Sequence, residues 1–159
     1  MKNNAKILDV CCGSRMFYFN KNDPRVLFCD NRQFETTLCD GRHFEVNPDV
    51  VCDFTALPFD DNTYQIVVFD PPHIKTLNET AYMAIKYGRL EGDWREMLRK
   101  GFAECFRVLK PYGTLVFKWC AVEIPVKEVL SLTPYVPLFG HRSGKRSNTH
   151  WICFIKEEL

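Results

Sequence analysis

The sequence has no excess of either charge. Its 21 Lys and Arg stand against 20 Asp and Glu, a net charge of +1 over 159 residues. That balance excludes a uniformly basic coat for nucleic acid, so any contact with phosphates must come from a local patch. No apolar run approaches the roughly 18 residues that a membrane span needs, and no membrane association is expected. Internal repeats and low-complexity tracts are missing as well, which excludes solenoids and disordered arrays. Among eight cysteines there is no Cys-x-x-Cys pair. The close Cys/His pairs, Cys39 with His43 and His150 with Cys153, lie far apart in the chain, so no metal site is expected.

What is present suits one globular domain. A chain of 159 residues buries roughly two-thirds of the surface its unfolded form exposes, which is enough for its own core. A hydrophobic share of 46% with 26% charged residues is ordinary for such a domain. Residues 1–159 are therefore expected to form a single domain with no separate target-recognition domain. Cys11, Cys29, Cys105, Cys120 and Cys153 sit in or beside apolar runs, where a free thiol behaves as a small hydrophobe. Met1-Lys2-Asn3-Asn4 leads at once into a strand-like run rather than a secretory leader. A reduced, cytoplasmic setting without disulfides is expected.

Short β-rich runs alternate with connecting segments throughout, the pattern of a mostly parallel α/β sheet. The strands expected are residues 6–10, 25–30, 50–53, 65–70 and 113–119. Two further runs, 136–139 and 151–155, close the sheet as an antiparallel hairpin. A helix is expected from about Asp93 to Leu109, where Asp93 and Glu96 have capping-box spacing and apolar residues recur on one face. Lys110-Pro111-Tyr112-Gly113 should stop it. Shorter helices are expected at 79–87, ended by Gly88, and at 125–130, with Pro125 in the first turn. Between Phe34 and Val46 the alternating residues flank Asp40-Gly41, a hairpin turn signal.

Four strand ends carry the chemistry. Asp9 is followed by Cys11-Cys12-Gly13-Ser14, a small-residue turn that lets a ligand approach the backbone at the carboxyl edge of a sheet. Seventeen residues after Gly13, Asp30 ends the next strand, where a carboxylate can accept from two ribose hydroxyls. Asp53 ends a third and can accept from a purine's exocyclic amine, with Phe54 or Leu57 against the ring. The fourth is Asp70-Pro71-Pro72-His73. Two prolines fix the backbone and remove two donors, so the segment presents acceptors: the Asp70 carboxylate and the Pro71 carbonyl. Both can take the hydrogens of one planar amino group and aim its lone pair at an electrophile. His73 would stack on the ring that carries the amine, although it can titrate.

Together with Arg107-Val108-Leu109-Lys110-Pro111-Tyr112-Gly113-Thr114-Leu115, these strand ends resemble class I S-adenosylmethionine-dependent methyltransferases over nearly the whole chain. The fold implied is Rossmann-like, with a seven-stranded, mostly parallel sheet. Asp70-Pro71-Pro72-His73 is similar to the Asp/Asn-Pro-Pro-aromatic signature of the amino-methyltransferases known on adenine N6 in DNA and RNA. The resemblance implies that S-adenosylmethionine is the cofactor, with Asp9, Cys11 and Gly13 at its methionine part. It puts Asp30 at the ribose, Asp53 and Phe54 at the adenine, and Asp70 beside the transferred methyl. Asp70, Pro71, Pro72 and His73 would then hold the target. The sequence departs in having Cys11, Cys12 and Ser14 where the family has further glycines, and His73 in place of Tyr, Phe or Trp.

The basic patch concealed by the neutral total is the loop from His141 to His150, with Arg142, Lys145, Arg146 and no acid. It suits contacts to RNA or DNA phosphates, and equally a solvated hairpin tip. Lys75, Lys86, Tyr87 and Arg89 can add to it, whereas Trp119 is expected in the core. Specificity would come from such loops or from a protein partner. A protein side-chain amide or a small amine fits the same two acceptors. A non-catalytic subunit of a larger enzyme is the remaining alternative.

Overall fold

The computed structural model describes residues 5–142 and 144–157; Met1 to Asn4, Ser143, Glu158 and Leu159 lie outside the described residues. In chain order the elements are β1 (Ile7–Asp9), β2 (Val26–Asp30), β3 (Phe34–Thr37), β4 (His43–Val46), β5 (Val50–Val51), β6 (Tyr64–Phe69), α1 (Tyr82–Tyr87), α2 (Trp94–Val108), β7 (Leu109–Cys120), α3 (Val126–Leu130), β8 (Phe139–Arg142) and β9 (Thr149–Ile155). Seven strands form one sheet in the order β5-β2-β1-β6-β7-β9-β8. It is parallel from β5 through β7, and β9 pairs antiparallel with both β7 and β8. The strands β3 and β4 stand apart as the expected antiparallel hairpin.

The two-residue period of the strands divides the side chains between two faces. Leu8, Leu27, Cys29, Val67, Phe69, Leu115, Phe117, Ile152 and Phe154 face α2, which returns Trp94, Leu98, Phe102, Cys105 and Phe106 to the same core. Full burial of a side chain such as Leu98 or Phe102 contributes about 1.5–3 kcal/mol. Gly101 is obligatory in this layer, because a Cβ there would lie 2.7 Å from the rings of Phe54 and Phe69. The N-terminus of α2 is capped as its sequence dictates, the Asp93 carboxylate accepting from the Glu96 N–H at 3.2 Å. Ile7, Val26 and Phe28 occupy the second face, packed by Cys12 and Tyr18 from the turns between β1 and β2. No helix forms in those turns. Further along this face Ile66, Val116, Cys153 and Ile155 are only half-buried.

Four boundaries among these differ from expectation. Lys110 to Gly113 does not end in a turn; β7 starts directly at Leu109, whose backbone is already extended. The register jumps from Tyr64↔Leu109 to Ile66↔Thr114, and the bulge is closed by the Tyr112 N–H donating to the Lys156 carbonyl at 2.8 Å. The last hairpin begins at Phe139 rather than Val136, because Pro137 has no N–H to give a ladder. Pro125 sits at the N-cap of α3 rather than within its first turn, and α1 starts only at Tyr82, with Gly88 at its C-cap in the left-handed region (φ 71°).

Candidate active site

The parallel registers Asp9↔Phe28 and Asp9↔Val68 align the carboxyl ends of β2, β1 and β6, so Asp9, Asp30 and Asp70 reach one edge of the sheet. Asp9 lies fully covered beneath the turn that follows it. Its carboxylate accepts from the Cys11 N–H at 3.1 Å and the Tyr18 hydroxyl at 2.9 Å. Burial pushes its carboxyl up to about 7, against those two donors and with a further upward push from Asp70 and Asp30. Gly13 turns the chain with φ +48°, where other residues are strained, and its N–H donates to Asp30 at 2.9 Å. Arg32 takes the other oxygen of Asp30 through its backbone N–H at 3.0 Å and its Nε at 3.1 Å, and its Nη1 donates to the Ile85 carbonyl of α1.

Asp70 follows β6 and is largely enclosed. The register Phe69↔Phe117 carries on to its neighbours and sets Asp70 beside Lys118, whose Nζ lies 2.6 Å from Asp70 Oδ2. Burial pushes the Asp70 carboxyl above the ordinary value, and the Lys118 ammonium pulls it back. Lys118 is the cross-strand partner of Trp151. Its ammonium stands 5.5 Å from the centre of the Phe17 ring and 5.7 Å from that of Trp151, which meet edge to face. Burial, then the nearby Lys118 charge, lowers the His73 imidazole to about 4, with Glu123 and the Pro71 carbonyl opposing. The ring is therefore neutral near pH 7, and it lies between Tyr87 and Trp119, 6.1 Å from each.

A cavity of about 180 Å³ joins these parts, with Cys11, Gly13, Asp70, Pro71, His73 and Lys118 among its walls. A cleft of about 450 Å³ lies on the far side of Arg32 and is bordered by Pro72, Asn31 and α1. Arg32 lines both spaces. Asp53 and Phe54 stand apart from them: Asp53 is exposed and accepts from the Thr55 N–H at 2.8 Å, while Phe54 is buried edge-on against Phe69. Trp119 is fully buried, its indole N–H donating to the Ile124 carbonyl. Arg142, Lys145 and Arg146 are exposed. Their loop is at the same sheet edge as Asp70, since Thr149 pairs with Cys120 at the carboxyl end of β7.

Arg32, Phe17, Trp151 and Lys118 were not among the sequence candidates. The signal for Lys118 was a lone charge inside the apolar run Leu115-Val116-Phe117-Lys118-Trp119. All eight cysteines are free thiols. Among the described residues no group of three His, Cys, Asp or Glu side chains is placed to hold a metal, and no helix is long and apolar enough to cross a membrane.

No protein-family model matches the chain, and no curated protein matches it. Solved structures do. The chain is similar to a SAM-dependent methyltransferase from Methanosarcina mazei, at 13% identity and TM-score 0.58, over 96% of this chain and 92% of that one. It is similar to the N-methyltransferase NodS from Bradyrhizobium japonicum, at 13% identity and TM-score 0.59, over 97% and 86%. A third likeness is to a chain of the complex between the Haloferax volcanii Trm112 methyltransferase activator and a methyltransferase, at 12% identity and TM-score 0.52, over 98% and 84%. The fold is the Rossmann-like fold of class I methyltransferases. Reaction and substrate must be argued from the site.

Proposed function

We propose that this protein is an S-adenosylmethionine-dependent methyltransferase acting on an exocyclic amino nitrogen, with adenine N6 in RNA or DNA as the preferred acceptor. The observation that carries this reading is the cavity that holds the Gly13 turn on one wall and Asp70 with Pro71 on the other. The residues present suit the cofactor. The Asp9-Cys11-Gly13 turn would receive its methionine end, with Asp9 shaping the turn from below. Asp30, buried and bonded to the Arg32 that lines both spaces, would take the ribose once Arg32 yields an oxygen, and the cleft beside Pro72 offers room for the base. Asp53 and Phe54, set apart from this trough, would reach the cofactor only after local rearrangement. When bound, S-adenosylmethionine supplies an electrophilic methyl group on a sulfonium.

Asp70 and the Pro71 carbonyl accept the two hydrogens of the target amine and direct its lone pair toward that methyl. With that methyl group supplied, Asp70 and Pro71 would hold the amine through the transfer, and its surplus proton would pass to water. No strong base is required. Pro72 fixes the segment, and a neutral His73 can lie against the acceptor ring. A base in a duplex must leave the stack to enter so small a space. Arg142, Lys145 and Arg146 would hold its phosphates. A protein partner that supplies specificity belongs to this proposal, in keeping with the activator in the Haloferax volcanii complex. The free thiols suit a reducing, cytoplasmic setting.

The test is transfer from labelled S-adenosylmethionine to pools of RNA and DNA, followed by separate nuclease and protease digestion. Label released by nuclease, and lost in Asp70→Ala with cofactor affinity nearly kept, is the expected result. Label released only by protease moves the acceptor to a side-chain amide. Activity unaffected by Asp70→Ala would make the chain a non-catalytic subunit.

A further inference from the structure

We propose that Lys118 reads the target: with Asp70 it offers one donor and one acceptor to a base edge in which an amine adjoins a ring nitrogen, the edge shared by adenine and cytosine. This rests on the amine-methylation reading above and adds to it the group that selects the ring.

The geometry begins with strand register. Phe69↔Phe117 sets Asp70 against Lys118, and Lys118↔Trp151 turns the ammonium toward the second face of the sheet, beside Phe17. Asp70 Oδ2 is taken by Lys118 at 2.6 Å, and Oδ1 accepts no hydrogen bond among the described residues. The ammonium has three donors, of which the described residues engage one. Lys118 and Asp70 both line the cavity, and their side chains keep only 20% and 16% of their exposure. A spare donor in so enclosed a place gains most from an acceptor that the ligand brings. Adenine N1 and cytosine N3 are such acceptors, each one bond removed from the carbon that bears the amine. On its Watson–Crick edge guanine carries a donor, N1–H, beside its amine and would meet the ammonium with a hydrogen; the acceptor next to its amine, N3, lies on the sugar side. The rings of Phe17, His73 and Tyr87 around the same cavity favour a planar heterocycle over a carboxamide, whose amine and carbonyl otherwise present a similar pair.

The experiment uses an oligonucleotide that the wild-type protein labels, with the target adenine present as such or replaced by 1-deazaadenine, which keeps the amine and loses the ring acceptor. A cytosine target is paired with 3-deazacytosine in the same way. In the wild type the deaza substitution should lower kcat/KM by about 10- to 100-fold. In Lys118→Met the natural base should be slower by a similar factor and the deaza penalty should fall below about threefold. Lys118→Gln, which restores a donor, should recover part of the discrimination and stands in if Lys118→Met does not fold. Equal deaza penalties in wild type and variants overturn the proposal while leaving amine methylation intact, and confine Lys118 to holding Asp70. Absence of label on any nucleic acid with the wild type refutes the underlying reading itself, whatever Lys118 does. Label on protein amides alone overturns the nucleobase assignment.

Discussion

Replacing Asp9 with Asn should remove a pH dependence from folding stability. Asp9 is fully buried and its carboxyl titrates at about 7 in the fold, against an ordinary value of 3.8. The unfolded chain therefore loses this proton near pH 4, and the folded protein keeps it until about pH 7. Through that window the folded state binds more protons, so stability falls as pH rises. The contribution is fully present below pH 3.8 and is lost by the time pH has passed about 7. At about 1.4 kcal/mol for each tenfold change in proton affinity, the interval from 3.8 to about 7 corresponds to on the order of 4 kcal/mol. Asn cannot ionise, and it retains an oxygen to accept the Cys11 N–H and an amide to donate to Tyr18. Urea unfolding followed by tryptophan fluorescence, at pH 5 and pH 8, measures the effect. Asp9→Asn should gain about 2–3 kcal/mol relative to wild type between these two values, the share of the interval that lies between pH 5 and about 7, and should be the more stable protein at pH 8. Parallel pH dependences in the two proteins would mean that the buried carboxylate stays ionised throughout this range.

Two other expectations concern packing and the basic loop. Gly101→Ala gains up to about 1 kcal/mol of helix propensity but drives a Cβ to within 2.7 Å of Phe54 and Phe69; overpacking costs about 1–3 kcal/mol, so urea unfolding should show a net loss, and an unchanged midpoint would contradict the packing. Replacing Arg142, Lys145 and Arg146 together by Ala should leave thermal stability within about 0.5 kcal/mol, since all three are exposed. The same variant should weaken binding to labelled RNA or DNA and lower the slope of log affinity against log salt by roughly 2–3, whereas an unchanged slope would remove the loop from the interface.

Features encoded within a few residues were legible in the sequence. Asp40-Gly41 marked its hairpin, Asp93 its helix cap, and the acids at positions 9, 30 and 70 the carboxyl edge of the sheet. Boundaries failed where long-range pairing overrode local signals: Leu109 is drawn into β7 by Tyr64, and the bulge at Tyr112 is closed by Lys156. The site was visible as a set of strand ends but not as a network. The partnership of Asp70 and Lys118 spans 48 residues and depends on a register. Arg32 reaches Asp30 nearby and, across 53 residues, the Ile85 carbonyl of α1. Phe54 reads locally as a ring beside Asp53, yet the space left by Gly101 turns it into the core.

The proposed reaction is methyl transfer to an exocyclic amine held by Asp70 and Pro71. Its most direct measurement is mass spectrometry of nucleosides released from RNA and DNA after incubation with S-adenosylmethionine and either wild type or Asp70→Ala. An N-methylated base, N6-methyladenine first, should be formed by wild type and reduced at least about 100-fold in the variant. A methyl group found instead on a ring carbon or a ribose oxygen, or formed equally by both proteins, would contradict it.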